Sequence, residues 1–319
     1  MVELTNRLDR KVVTITLNPV LDKTLWVKDF TAGGTFQVDR SEDVAGGKGV
    51  NVSRALKTMG FDSIASGLMA MGLSAPYIQL MDRDMIAHDF LMTEGNLRMN
   101  ITVVSGGQRR ETHLRERGPL LREELLPELE KKLKAMNSID TLFVFAGSLP
   151  RGLPHASYHR LIKLLKSWGS HAVLDSSGPS LVEGLKAQPF FIKPNSQEVQ
   201  EALGIFPETS EELIRAVELF HRMGIENVMI TLGKNGAVLS QGGKVVHARV
   251  SVERPVNSVG SGDAALAGSI AGMLSELGTE DTARFACAMG AANTLVSGAC
   301  VFHKEDVLRL MEEVNVQLL

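Results

Sequence analysis

The chain has 319 residues, of which 44% are hydrophobic and 22% charged, enough apolar mass for one large α/β unit or two smaller ones. A formal net charge of -3 and a pI near 6.3 give no broad basic field, which argues against nucleic acid or an anionic membrane as partner. No apolar run approaches the ~20 residues that span a bilayer. Only two cysteines occur, Cys287 and Cys300, and the N-terminus MVELTNRLDR is charged. Both features fit a reducing, cytoplasmic setting.

In chain order, Lys11 to Leu17 (KVVTITL) reads as a β-branched strand, and the glycine cluster at 46 to 49 leads into a helix from Val50 to Met59 that stops at Gly60. Thr141 to Ala146 is a buried strand, Ala156 to Trp168 an amphipathic helix, and His171 to Asp175 the next strand. Phe190 to Lys193, Ser196 to Leu203, Glu211 to Met223 and Val228 to Leu232 continue the alternation. Such repetition predicts a mostly parallel sheet covered by helices on both faces. No repeat and no linker divides the chain, which reads as one domain over 1–319.

Two stretches break the rhythm. Residues 22–44 and 98–116 alternate polar with apolar residues around Gly-Gly pairs at 33–34 and 106–107, the pattern of antiparallel hairpins. They form either a small β lid or dimer surface, or plain edge decoration.

Ligands of open α/β sheets bind beyond the carboxyl ends of the strands, where turns enter helices. Two glycine clusters have that character. In VNSVGSGDAALAG (256–268), Gly260 and Gly262 allow a tight turn whose N–H groups, Ser261's included, converge at the start of a helix from Asp263 to about Leu277. Asp263 is then either an ordinary N-terminal cap or a general base beside an anion hole, the pairing that phosphoryl transfer requires. In AGGKGVNVSRAL (45–56), Lys48 offers a charge to a phosphate and Asn51 an amide to sugar hydroxyls. The chain lacks both G-x-x-x-x-G-K-[ST] and a G-x-G-x-x-G after its first strand, which excludes a P-loop enzyme and argues against a Rossmann dehydrogenase.

With GGKGVN, NSVGSGD and TLNPVLD (16–22) on one chain, the sequence resembles the ribokinase-like sugar kinases of the phosphofructokinase B type, in the branch of the 1-phosphofructokinases and tagatose-6-phosphate kinases. The match runs almost end to end. It implies a three-layer α/β/α sandwich with a β lid, Asp263 as catalytic base, and Asp22, Gly46, Gly47 and Asn51 around the sugar. From LRMN (97–100) it implies Arg98 on the substrate phosphate and Asn100 as a lesser contact; from AGSLPRG (146–152), Ser148 as a substrate neighbour. KPNSQE (193–198) places Lys193, Asn195 and Glu198 at nucleotide phosphates and Mg²⁺, and TLGKNG (231–236) places Thr231, Gly233 and Gly236 along the nucleotide.

The residue chemistry agrees with those roles. Lys193 and Asn195 flank Pro194 at a strand end, and Glu198 suits a hydrated Mg²⁺, although its bland alternative is a first-turn helix carboxylate. An arginine fork at position 98 grips two phosphate oxygens, and together with Lys48 it favours a phosphosugar over a free sugar. The expected activity is ATP-dependent, Mg²⁺-assisted phosphorylation of a ketohexose monophosphate, foremost fructose 1-phosphate, with tagatose 6-phosphate or fructose 6-phosphate as alternatives. A non-catalytic sensor on the same scaffold and a free-sugar or nucleoside kinase are the competing classes. The expected assembly is a homodimer through the lid. Two departures stand out: Ser261 where relatives carry alanine, and GLMAMGLSAPYI (67–78), where relatives usually show a glycine at the position of Ala70 and another near Pro76. The methionines clustered at 69–99 read as core filling.

Overall fold

A computed structural model describes residues 4–105 and 110–319. The first half runs β1 (Val12–Thr16), β2 (Val20–Val27), β3 (Arg40–Gly46), α1 (Lys48–Thr58), β4 (Ile64–Gly72), α2 (Ser74–Arg83), β5 (Ala87–Asn96), β6 (Arg98–Ser105) and β7 (Arg110–Arg115). Next come α3 (Leu126–Met136), β8 (Leu142–Ala146), α4 (Ser157–Ser167), β9 (His171–Asp175), α5 (Gly178–Leu185), β10 (Phe191–Ile192), α6 (Ser196–Leu203), α7 (Ser210–Arg222) and β11 (Asn227–Thr231). The chain closes with β12 (Ala237–Gln241), β13 (Lys244–Arg249), α8 (Ser261–Leu274), α9 (Thr279–Asn293), α10 (Lys304–Glu313) and β14 (Asn315–Leu318).

The main sheet has the order β14-β13-β12-β11-β10-β9-β8-β1-β4-β5. From β11 to β5 all neighbours are parallel, whereas β12, β13 and β14 add an antiparallel edge. Strand side chains alternate between two cores. Val12, Val144 and Val173 pack with α1, α8, α9 and α10 on one face. On the other, Val13, Ile15, Phe143, Phe145 and Leu174 pack with α3, α4, α5 and α7. Near-continuous apolar strands are the consequence of burial on both faces, and the result is the three-layer α/β/α sandwich that the sequence resemblance implies.

The second sheet, β3-β2-β6-β7, joins two antiparallel pairs through a parallel β2–β6 ladder that sets Asp22 opposite Asn100. The expected pairs are thus one sheet and not two separate hairpins. Residues 28–39 connect β2 to β3 as a long loop in place of a tight Gly33-Gly34 turn. The Gly-Gly pair at 106–107 lies outside the described residues.

The segment 67–78 contains the end of β4 and the start of α2, with Leu73 between them in the left-handed region at φ 65°. Among the methionines of 69–99, Met69 and Met81 fill a third core with Tyr77, but Met71, Met85 and Met92 are exposed. Core filling therefore accounts for part of that cluster only. That stretch is interrupted by two strands of unlike exposure: β4 is buried at Ala65–Ala70 and opens only at its end, where Met71 lies, whereas β5 is mostly exposed.

Candidate active site

Parallel strands aim their carboxyl ends the same way, so the residues that follow β1, β8, β9, β10 and β11 gather on one edge of the main sheet. Asp175 ends β9 and is fully buried. Its Oδ1 accepts from Lys48 Nζ at 3.0 Å and lies 3.4 Å from Lys193 Nζ. Burial alone would raise the Asp175 carboxyl, but Lys193 and Lys48 hold it below the usual range. Burial would likewise lower Lys48, yet Asp175, Asp263 and Glu198 keep its ammonium above the ordinary lysine value. The sequence reading gave Asp175 no role. A lone carboxylate closing an apolar parallel strand was the available signal.

Lys48 begins α1 directly after Gly47, whose φ of 121° and ψ of 133° turn the chain out of β3. Glycine is required there on two counts, because a Cβ would also fall 2.8 Å from Thr16 Cγ2. Lys48 is thus paired with Asp175 in this structure, with one of its three donors so used. Gly46, one residue earlier, leaves room for Asp22: a Cβ there would overlap the Asp22 carboxylate.

Asn51 sits one turn into α1 and donates from Nδ2 to Asp263 Oδ2 at 2.8 Å, across 212 positions of sequence. Its amide was expected on sugar hydroxyls; in this structure it holds the aspartate. Asp263 is 6% exposed, in the first turn of α8. Burial, reinforced by Asp175, pushes its carboxyl up to about 6, against the opposing pull of Lys48, Asn51 and Lys193.

The turn before α8 has Gly260 in the left-handed region at φ 85°. Of its expected donors, the Ser261 N–H is already given to the Ser258 carbonyl at 3.2 Å, and Ser261 Oγ accepts from Asn293 Nδ2. An anion at this helix start would therefore meet Gly260 and Gly262 rather than all three N–H groups. A Cβ on Gly262 would come within 3.3 Å of Lys193 Nζ, so a buried cation lies beside the turn.

Asn195 caps α6: its side chain accepts from the Glu198 N–H at 2.9 Å, while Glu198 Oε2 accepts from the Asn195 N–H at 2.8 Å. This reciprocal box is the bland role foreseen for Glu198, and it leaves Oε1 outside the box. Burial raises the Glu198 carboxyl. Thr231 bridges to Asn195 in parallel, and Gly233 opens the turn after β11. Gly236 has a packing reason of its own, since a Cβ would strike the Ala248 carbonyl.

On the other side a cavity of about 190 Å³ is lined by Asn18, Gly47, Lys48, Arg98 and Ser148 among others. Arg98 donates from Nε and Nη2 to the Asn18 carbonyl, and burial lowers its pKa. Asn18 Nδ2 reaches Ser148 Oγ at 3.3 Å, but its buried Oδ1 has no hydrogen-bond partner. Asn18 belongs to TLNPVLD, a motif in which the resemblance assigns a role to Asp22 alone. Asn100 donates to Asp22 Oδ1 at 2.9 Å, and burial raises the Asp22 carboxyl. Tyr77 and Tyr158, the chain's two tyrosines, are fully buried and donate to the carbonyls of Gly46 and Gly147.

The described residues thus bring Lys48, Asn51, Asp175, Lys193 and Asp263 into one polar cluster, with Glu198 close enough to bias Lys48. Asp22 and Asn100 pair on the second sheet, and Arg98 lies between that sheet and the cavity. The profile of the pfkB family carbohydrate kinases matches residues 13–305. The chain belongs to this family.

As a pfkB carbohydrate kinase the protein is a sugar phosphotransferase that uses ATP as co-substrate. It is 32% identical over 306 residues to a 1-phosphofructokinase of Bacillus subtilis, covering 96% of this chain and 99% of the relative. It is also 32% identical over 288 residues to a tagatose-6-phosphate kinase of Staphylococcus epidermidis, covering 89% and 92%. A putative phosphofructokinase from Staphylococcus aureus superposes with a TM-score of 0.84 at 27% identity, over 97% of this chain and 99% of that one. Escherichia coli phosphofructokinase-2 shares the fold, with a TM-score of 0.89 at 21% identity over 95% and 98%.

Proposed function

We propose that the protein phosphorylates a primary hydroxyl of a ketohexose monophosphate, foremost fructose 1-phosphate, to give fructose 1,6-bisphosphate. The observation that carries this mechanism is the buried Asp263, held by Asn51 next to the Gly260 turn and with Lys193 beside Gly262. The substrate assignment is supported by relatives named 1-phosphofructokinase that match nearly their whole length. Asp263 takes the hydroxyl proton as the oxygen attacks the γ-phosphorus, and the bond to the leaving ADP oxygen breaks. Gly260, Gly262 and Lys193 stabilise the charge on the transferring group. Asp22 with Asn100 orients sugar hydroxyls, and Arg98 with Ser148 binds the phosphate already on the sugar.

Three carboxylates, Asp175, Asp263 and Glu198, share this region with two ammonium groups, Lys48 and Lys193. That excess of negative charge and the Glu198 oxygen outside the capping box fit a hydrated Mg²⁺, which takes few protein ligands and arrives with phosphates. The ion would neutralise phosphate charge; Thr231, Gly233 and Asn195 line the nucleotide. The second sheet closes over the sugar to exclude water and pairs two copies of one domain spanning 1–319, an arrangement favoured by exposed Leu114 and Val38. Two buried unpaired cysteines fit work in the cytoplasm, and among the described residues no helix is long and apolar enough to cross a membrane.

A second reading, tagatose 6-phosphate as acceptor, is favoured by the equal identity of the Staphylococcus epidermidis relative. ADP release measured side by side with fructose 1-phosphate, tagatose 6-phosphate, fructose 6-phosphate and fructose separates the two. Asp263→Asn is expected to lower kcat ~10²-fold or more, as loss of a general base does. Turnover within tenfold of the parent would overturn the assignment of the base.

A further inference from the structure

Asn51 and Arg54 stand three residues apart on α1 and therefore share a face. Arg54 is 5% exposed, and its guanidinium donates to polar groups of four different segments. Nε donates to Asp84 Oδ2 at 3.0 Å at the end of α2, Nη2 to the Ala45 carbonyl at 2.6 Å in β3, and Nη1 to Asn51 Oδ1 at 3.1 Å. Nη1 also points to the Ala299 carbonyl at 3.4 Å, in the loop that packs against Gly260.

A guanidinium donates and never accepts. Its contact with Asn51 can be made only by the amide oxygen, which obliges the NH2 end to face Asp263. The two ends of an amide are nearly equal in size, so packing does not discriminate between them and only a hydrogen-bond partner can. We propose that Arg54 is a positioning residue for phosphoryl transfer: it locks the Asn51 amide donor-first onto Asp263 and so keeps that carboxylate ionised and aimed. The proposal rests on Asp263 being the base. Without the lock, Asn51 can turn its carbonyl to Asp263, a contact that only the protonated acid can answer. The other groups that face Asp263 are Lys48 of α1, Asp175 of β9, Lys193 after β10 and Cys300 after α9.

A purely structural Arg54, present for its ion pair with Asp84, makes a different prediction. The test is the pH profile of kcat/KM for the full-length protein, with thermal unfolding in parallel. Arg54→Lys keeps the charge beside Asp84 but cannot span all four acceptors. Its acid limb is expected to move up by about one unit, so that activity relative to the parent falls roughly fivefold at pH 6 and ~10-fold at pH 5, and returns to within about threefold at pH 9. Asp84→Asn, which leaves Arg54 and Asn51 in contact, is expected to lower the unfolding temperature and leave the limb where it was. If Arg54→Lys does not fold, the pair Arg54→Met with Asp84→Leu removes both charges together and takes its place, with the same limb shift expected. An acid limb that superposes on the parent's, or one that Asp84→Asn displaces just as far, overturns the proposal. Failure of the underlying reading looks different: Asp263→Asn would then retain turnover.

Discussion

Two glycine turns open the two helices that meet at this site, and they treat the positive helix end in opposite ways. Gly260 leads into α8 with Asp263 in the first turn, a carboxylate where the helix dipole welcomes one. Gly47 leads into α1 with Lys48, a cation at the end that disfavours it, and no acidic residue in the first turn. The mismatch at α1 is corrected from outside the helix by Asp175, 127 positions away. A helix start that supplies its own counter-charge is a local device, whereas one that borrows it from a strand end ties two layers of the fold together. The α8 turn thus carries its own charge, which Asn51 of α1 then holds in place, whereas the α1 turn takes its counter-charge from β9.

Removing the borrowed charge tests this contrast most severely. Asp175→Asn leaves Lys48 and Lys193 facing one another without their carboxylate and is expected to cost about 3–5 kcal/mol, read from urea unfolding. A loss below 1 kcal/mol would mean that the α1 turn stands without β9. At the other helix, Gly260→Ala forces a left-handed alanine whose Cβ would lie 2.7 Å from Ala299 Cβ, an expected cost of about 2–4 kcal/mol. Arg98→Ala belongs to the sugar side and is expected to raise KM for the phosphosugar ~10–100-fold while sparing free fructose. Equal weakening of both sugars would remove Arg98 from the phosphate.

The smallest expected effect concerns pH. The Asp263 carboxyl is pushed up from its ordinary value to about 6, so its ionised form destabilises the fold. The penalty is absent below the unfolded pKa of about 3.9 and complete above about 6. Asp263→Asn is therefore expected to gain on the order of 1–3 kcal/mol over the parent at pH 8 and less at pH 5, in the absence of ligands. A gain that is equal at the two pH values would point to packing and not to the charge.

The central alternation was legible because strands buried on both faces are apolar throughout: β9 and α6 have the boundaries the sequence predicts, and β1, α1, β8, α4, β10, α7 and β11 lie within two residues of theirs, whereas α2, α3, α5, α9, α10 and the antiparallel edge β12–β14 had no prediction. The stretch 64–96 was not, since β4 and β5 carry methionines on exposed as well as buried positions and so imitate core. Local chemistry was legible too. Asp263 and Asn195 were found from helix-start patterns that lie within a few residues of one another. Contacts made across the fold were not. Asn51 was given to the sugar, Lys48 to a phosphate and Asp175 to nothing, because the pairing of these groups is set by the order of strands in the sheet and no spacing rule reaches that far. Ser261 shows the same limit at short range: its N–H looked available, and the turn itself consumes it.

The two tyrosines give this site a voice in ultraviolet light. Each phenol is sealed in the core and bonded to the carbonyl of a glycine in or next to the lining of the cavity at Asn18, Lys48 and Arg98, and burial pushes both pKa values well above the ordinary phenol range. Tyrosinate absorbance on an alkaline titration will then stay silent while the turns at Gly46 and Gly147 are closed, and will appear when they open. With no third tyrosine to blur the signal, a spectrophotometer reads the integrity of these two turns with no label and no ligand.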